Sequence, residues 1–225
     1  MDTRPPLHLH LLAHPQSEQA NALALKLMHR FVEPPASGGL RVPVFFTPDN
    51  GDDRPPTLNA GDGLHLDAAR HTIIAVLADA RMLRTVPNGT GQAWVDFVEQ
   101  AIAATPLDAS PHHVLPVALE QAGFQISKGR HVLPAMLDTS IGNTQEATER
   151  RLAEVSFHIA ARAIQLLTQS KVPADAPDKM KAPVTIFLSH AKADLDKQQR
   201  EDPVRQTRAV LNELPVEQWF DAQQI

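Results

Sequence analysis

At 225 residues and 43% hydrophobic content, the chain can build one large domain, or one domain and part of another. A formal net charge of −5 argues against a phosphate-binding polycation, so direct nucleic-acid binding is not expected. The absence of cysteine excludes disulfides, thiolate metal sites and a cysteine nucleophile.

The first expected element is a strand over Leu7–Ala13. Ser17–Val32 has helical spacing, with Ala20, Leu23, Leu27 and Phe31 on one face. Pro34-Pro35 and Gly38-Gly39 stop that helix. Leu40–Phe46 is a second strand, and the Asp-, Pro- and Gly-rich stretch Thr47–Gly63 is a loop. His71–Leu77 is continuously apolar after its first residues, the pattern of a strand buried on both faces. Gln92–Ala104 is a helix, His113–Leu119 a strand and Arg130–Leu137 another. Thr144–Thr168 is a long amphipathic helix with Leu152, Val155, Ile159, Ala163 and Leu166 inward.

Strands alternating with helices predict an α/β fold with a doubly wound, mainly parallel sheet flanked by helices. Gln169–Lys181 carries Pro173, Pro177 and several charged residues and reads as a linker. The expected organisation is an α/β domain over 5–168, a linker over 169–181 and a partial second unit over 182–225. Only Arg4 is basic before Leu7, and His8 and His10 interrupt the apolar run that follows. No segment approaches the roughly 20 apolar residues of a bilayer span. A soluble cytoplasmic protein without a membrane partner is expected.

An internal repeat is also expected. Leu11-Leu-Ala-His14 and Phe187-Leu-Ser-His190 each end an apolar strand in histidine, and Glu18 and Asp194 follow at the same offset of four. Each strand leads into a helical stretch and then a second strand, Val42–Phe46 or Glu217–Phe220.

The stretch Thr185-Ile-Phe-Leu-Ser-His-Ala-Lys-Ala-Asp194, followed by Trp219-Phe-Asp221, resembles the opening of a bacterial TIR (Toll/interleukin-1 receptor) domain. The likeness runs from the linker to Ile225, less than half of such a domain. In the first unit, Thr72-Ile-Ile-Ala-Val-Leu77 is similar to the third TIR strand and Val114-Leu-Pro-Val-Ala-Leu119 to the fourth. Trp94-Val-Asp-Phe-Val-Glu99 looks like the tryptophan-led helix that carries the family's glutamate. The resemblance therefore implies a divergent, complete TIR-like unit followed by the start of a second.

It also implies a chemistry. Enzymatic TIR domains cleave NAD between nicotinamide and ribose, and a carboxylate stabilises the oxocarbenium-like ribose. On this basis Glu99 is the catalytic candidate, and NAD is a substrate rather than a cofactor. His14, Phe46, Trp94, Ser189, His190, Asp194, Trp219 and Asp221 are the substrate-binding candidates. The family's glutamate usually stands four residues after the tryptophan; here that residue is Val98, and Asp96 is the other acid on the helix. The second unit's own glutamate would lie beyond Ile225. The implied partners are NAD or a related nucleotide, further copies through TIR–TIR contacts, and an immune-system protein. The competing reading is a non-catalytic interaction or nucleotide-sensing module, and a flavodoxin-like domain is a third.

Other motifs are weaker. His8 and His10 share one strand face and resemble a metal-ligand pattern of amidohydrolase barrels, but the eight strand–helix units of such a barrel do not fit this length, so no metal is expected. The acidic stretch Asp49–Asp53 departs from the calcium-loop pattern and reads as solvated loop. Gly89-Thr-Gly91 lacks the third glycine of a phosphate cradle.

Overall fold

The computed structural model describes residues 3–33, 41–46, 53–83, 90–106, 110–126, 132–134 and 145–169, together with the strands 184–188 and 216–220. By Cα packing the chain divides into a first unit, Met1–Leu167, and a second, Thr168–Ile225.

The first unit is built on strands β1 (Leu7–Ala13), β2 (Val44–Phe46), β3 (His71–Ala78), β4 (His112–Ala118) and β5 (Leu133–Pro134). Its helices are α1 (Glu18–Val32), the single turn α2 (Ala80–Leu83), α3 (Gly91–Ala104) and α4 (Gln145–Gln169). The strands lie in the order β2-β1-β3-β4-β5, and every pairing is parallel. This is a doubly wound α/β sheet, as the alternation of elements predicts. All eight residues of β3 are buried, which accounts for its unbroken apolar sequence.

Strand alternation sorts the side chains into two cores. Leu7, Leu9, Leu11, Ile73, Ala75 and Leu77 point to the face covered by α1 and α4. Leu12, Ile74, Val76, Ala78 and Val114 point to the face covered by α3 through Trp94, Phe97, Val98 and Ala101. Ser17 caps α1, its Oγ accepting from the backbone N–H of Ala20 at 3.3 Å, and the helix buries Ala20, Leu23, Ala24, Leu27 and Phe31. Pro116 is tolerated within β4 because the short β5 pairs only with Val117 and Ala118, leaving no ladder on that side at Pro116.

Among its described residues, the connection from β2 to β3 contains only one 3-10 turn, Leu66–Ala68, where a helix is usual in this topology. A tight loop substitutes for it. Asn59 (φ 54°) and Gly61 (φ 55°) adopt left-handed backbone, and Asn59 Oδ1 accepts from the N–H of Leu66 at 2.9 Å. The fold thereby directs Leu64 and Leu66 into the α3-side core. The expected second strand begins at Leu40 by sequence and at Val44 in the structure, with Leu40 outside the described residues. Likewise only Leu133–Pro134 of the expected strand Arg130–Leu137 is strand, and much of the remainder is undescribed.

In the second unit, β6 (Val184–Leu188) and β7 (Val216–Phe220) pair in parallel. The register echoes that of β1 and β2. The residue three before His14, Leu11, pairs with Phe46; the residue three before His190, Phe187, pairs with Trp219. An aromatic residue thus occupies the same ladder position in both units.

Gly123 follows β4 and lies against the ends of two strands. A Cβ there would sit 2.6 Å from Ala78 O and 2.8 Å from Ala118 Cα, both backbone atoms. Gly123→Ala is expected to destabilise the protein by about 1–3 kcal/mol. Gln121→Ala in the same turn, an exposed position, should stay within ~0.5 kcal/mol of the parent in urea unfolding.

Candidate functional site at the carboxyl edge of the sheet

From β1 the chain proceeds to β2 on one side and, later, to β3 on the other. The crevice beyond the carboxyl ends of β1 and β3 is therefore the topological switch point, where open α/β sheets bind ligands. His14 directly follows β1 there and is only 5% exposed. Its ring lies 5.8 Å from that of Trp94, tilted by 43°.

Three further contacts close a circuit around this pair. The backbone N–H of Gln16 donates to His14 Nδ1 at 3.2 Å. The Gln16 side-chain amide donates to Asp53 Oδ2. Trp94 Nε1–H donates to the Asp53 carbonyl at 2.9 Å. Asp53, with φ of 54°, is held over the strand ends by these two bonds rather than by secondary structure. A buried indole N–H needs an acceptor, and the loop supplies it.

Because Nδ1 accepts, the neutral imidazole carries its proton on Nε2. That N–H faces Thr90 Oγ1 at 3.5 Å, a long contact that engages the donor weakly. Burial lowers the His14 pKa; the carboxylates of Asp53 and Asp79 oppose this, and Arg81 reinforces it. His14 is thus a neutral donor at pH 7. Asp79 directly follows β3, is 5% exposed, and its Oδ1 accepts from the backbone N–H groups of Arg81 and Met82 at 3.0 Å each. Its carboxylate caps α2. The first turns of α1 and α3 also lie at this edge, where their N-terminal dipoles favour an anionic group.

The fold brings His14 and Trp94 together. Glu99 lies five residues further along α3, about 7.5 Å down the helix axis, and is half-buried. Val98, four after Trp94, is on the buried stripe, so Glu99 is rotated about 100° from it. Asp96 is exposed and accepts from Gln92 Nε2 at 2.6 Å. Phe46 packs against the core on the α1 side, the opposite face from Trp94. Trp219 lies in β7; Ser189, His190, Asp194 and Asp221 fall outside the described residues.

Asp53 is the site residue that sequence reasoning missed. It belongs to the acidic stretch read as solvated loop, yet it is half-buried and tied to Gln16 and Trp94. The only signal in the sequence was indirect: a core tryptophan requires an acceptor, and spacing cannot say which. In β1, His8 is buried and His10 partly so, because β1 lies between β2 and β3 rather than at the sheet edge. Among the described residues, no group of three or more His, Asp or Glu side chains is placed to hold a metal ion. No helix of the described residues is long and apolar enough to cross a membrane.

No family model, curated protein or solved structure matches this chain.

Two predictions follow from these environments. Burial, reinforced by the neighbouring His8, lowers the pKa of His10 from 6.5 to about 4. Between these values the unfolded chain binds a proton that the folded chain does not, so stability is lost as pH falls from 6.5 towards 4. The contribution from His10 is at most ~3.4 kcal/mol, and His8, His14 and His112, all lowered by burial, act in the same direction. Urea unfolding should give a lower free energy at pH 5 than at pH 7, with the difference reduced in His10→Phe; a level profile in the parent would contradict this. Trp94→Phe keeps the ring but leaves the Asp53 carbonyl without its donor. It should cost about 1 kcal/mol and speed amide exchange at Arg54 relative to the β3 amides.

Proposed function

We propose that this is a TIR-type protein of bacterial immunity or signalling. Self-association would lead it to cleave NAD to nicotinamide and free or cyclised ADP-ribose in the cytoplasm. The observation that carries the reading is the His14–Trp94 pair, closed by Asp53, at the switch point of a β2-β1-β3-β4-β5 sheet. Support comes from the two TIR-like signatures and from the aromatic ladder position shared by both units.

The chemistry asked of the site is limited. The bond between the ribose C1′ and the nicotinamide nitrogen breaks, and its electron pair leaves with nicotinamide. Water then adds to the oxocarbenium-like carbon and releases one proton, or the cation is captured within the same molecule. A flat nicotinamide ring suits the Trp94 and His14 surfaces, and the His14 Nε2–H can donate to its amide carbonyl. The pyrophosphate suits the N-terminal turns of α1 and α3. Charge stabilisation falls to a carboxylate, for which Asp53 at the edge and Glu99 on α3 are the candidates. Immune-system partners and contacts between copies would supply the trigger.

A second reading is a nucleotide-sensing or interaction module without turnover. It is favoured by the placement of Glu99 down the helix and by Asp79 being occupied as a helix cap.

Nicotinamide release from NAD by residues 1–225, fused to a self-associating partner, separates the two. Release is expected, and Asp53→Asn or Glu99→Ala should lower it by about a hundredfold or more, identifying the carboxylate. NAD binding without release would establish the sensing reading. Neither release nor binding would sink both.

A further inference from the structure

The loop over residues 53–64 has three parts that are held in different ways. Its base, residues 57–64, is rigid. The N–H of Leu64 donates to the Thr57 carbonyl at 2.8 Å, the N–H of Asn59 donates to the Leu64 carbonyl at 2.7 Å, and no Cβ would fit at Gly63 against the Thr57 carbonyl. Its arm, residues 54–56, is stiff but loosely seated. Pro55 and Pro56 fix their own φ, bias the residue before each towards extended backbone, and have no N–H with which to anchor themselves. A cavity of about 500 Å³ is lined by the arm and by His10, Leu12 and Phe45 of the sheet, so the arm is not packed solidly onto the strands. A segment with few packed contacts opens locally at low cost.

The tip, Asp53, is held by two side-chain donors. Gln16 Nε2 donates to its carboxylate and Trp94 Nε1–H to its carbonyl, the second at 2.9 Å. Gln16 is exposed, whereas Trp94 is 2% exposed and His14, beside it, 5%. Thr90 stands at the remaining ring nitrogen of His14. The groups that a ligand at the switch point would use are therefore covered, and Asp53 occupies the indole donor among them.

We propose that residues 53–56 are a strap that closes the His14 crevice in the resting protein, and that it opens by breaking the two Asp53 bonds and swinging on the base at 57–64. A stiff arm between a pinned base and a two-bond latch moves as one piece, so loss of either bond loosens the other. A molecule arriving from solvent meets the exposed Gln16 bond first and the buried indole bond second. The strap regulates the crevice proposed above to take NAD, and it rests on that reading only for the identity of what enters.

Two measurements on the full chain test the strap without NAD. The first is hydrogen exchange of the Trp94 indole N–H, with its resonance assigned by Trp94→Phe. Gln16→Ala removes the outer bond at an exposed position, leaves the backbone N–H that His14 accepts from, and should speed indole exchange about tenfold. The β3 amides should keep their protection, and Gln19→Ala, exposed on the first turn of α1, should change neither. The second is carbethoxylation by diethyl pyrocarbonate at pH 7, mapped by peptide mass. His14 should react at least tenfold more slowly than the exposed His29 in the parent, and about tenfold faster in Gln16→Ala than in the parent. The proposal is overturned by unchanged indole exchange in Gln16→Ala, by equal acceleration of the β3 amides, or by parent His14 reacting as fast as His29. A strap that passes both tests in a protein that leaves NAD untouched would stand while the NAD reading fell.

Discussion

Burial of β3 on both faces is the constraint from which the rest of the first unit follows. All eight of its residues are buried, with alternate side chains assigned to two different cores. A strand in that position needs neighbours on both edges, and β1 and β4 supply them in parallel register along nearly its whole length. Parallel pairing demands crossovers that shield both faces, which is why α1 and α4 lie on one side and α3 on the other. The same arrangement makes β1 and β3 adjacent strands whose chains depart in opposite directions, opening the crevice where His14 and Asp79 stand.

Two features of the unit arise from one departure from this plan. Where a helix would ordinarily cover β2 and β1, the described part of the connection is a tight loop pinned by the Asn59 side chain and by the backbone bonds that Leu64 makes with Thr57 and Asn59. A loop buries less than a helix does. Leu64 and Leu66 plug the core, but Phe45 and His10 remain against a cavity. At its start the same loop places Asp53 beside His14 and Trp94, adding a carboxylate to a strand edge where the described residues also place a neutral imidazole and the aspartate that caps α2. The positive φ of Asp53 persists because the hydrogen bonds from Gln16 and Trp94 over-determine it.

The elements of the first unit were largely legible in the chain, and for identifiable reasons. Leu7–Ala13 and His71–Ala78 declared themselves by apolar content, and α1 by its spacing together with the Ser17 cap. Residues with weak local signals were harder to read. β2 is three residues long and half-buried, and β5 is two, so neighbouring strands rather than local pattern define them. The His14–Trp94 pair joins residues eighty apart, and each was singled out by its strand-end or helix position. Asp53 was not, because its role depends on two hydrogen bonds made across the fold.

The sequence by itself determined the alternation of strands and helices, the identity of the buried faces and the parallel sheet, since period and apolar content act locally on the chain. Tertiary structure alone decided which strands are neighbours, that β1 is interior, with His8 buried and His10 partly so, and that the described part of the β2–β3 connection is loop where a helix is usual. It also decided which acids approach His14. Asp53 and Asp79 lie far from it in sequence, and only closure of the sheet brings their charges to one edge, where burial and Coulomb attraction act on the imidazole in opposite directions.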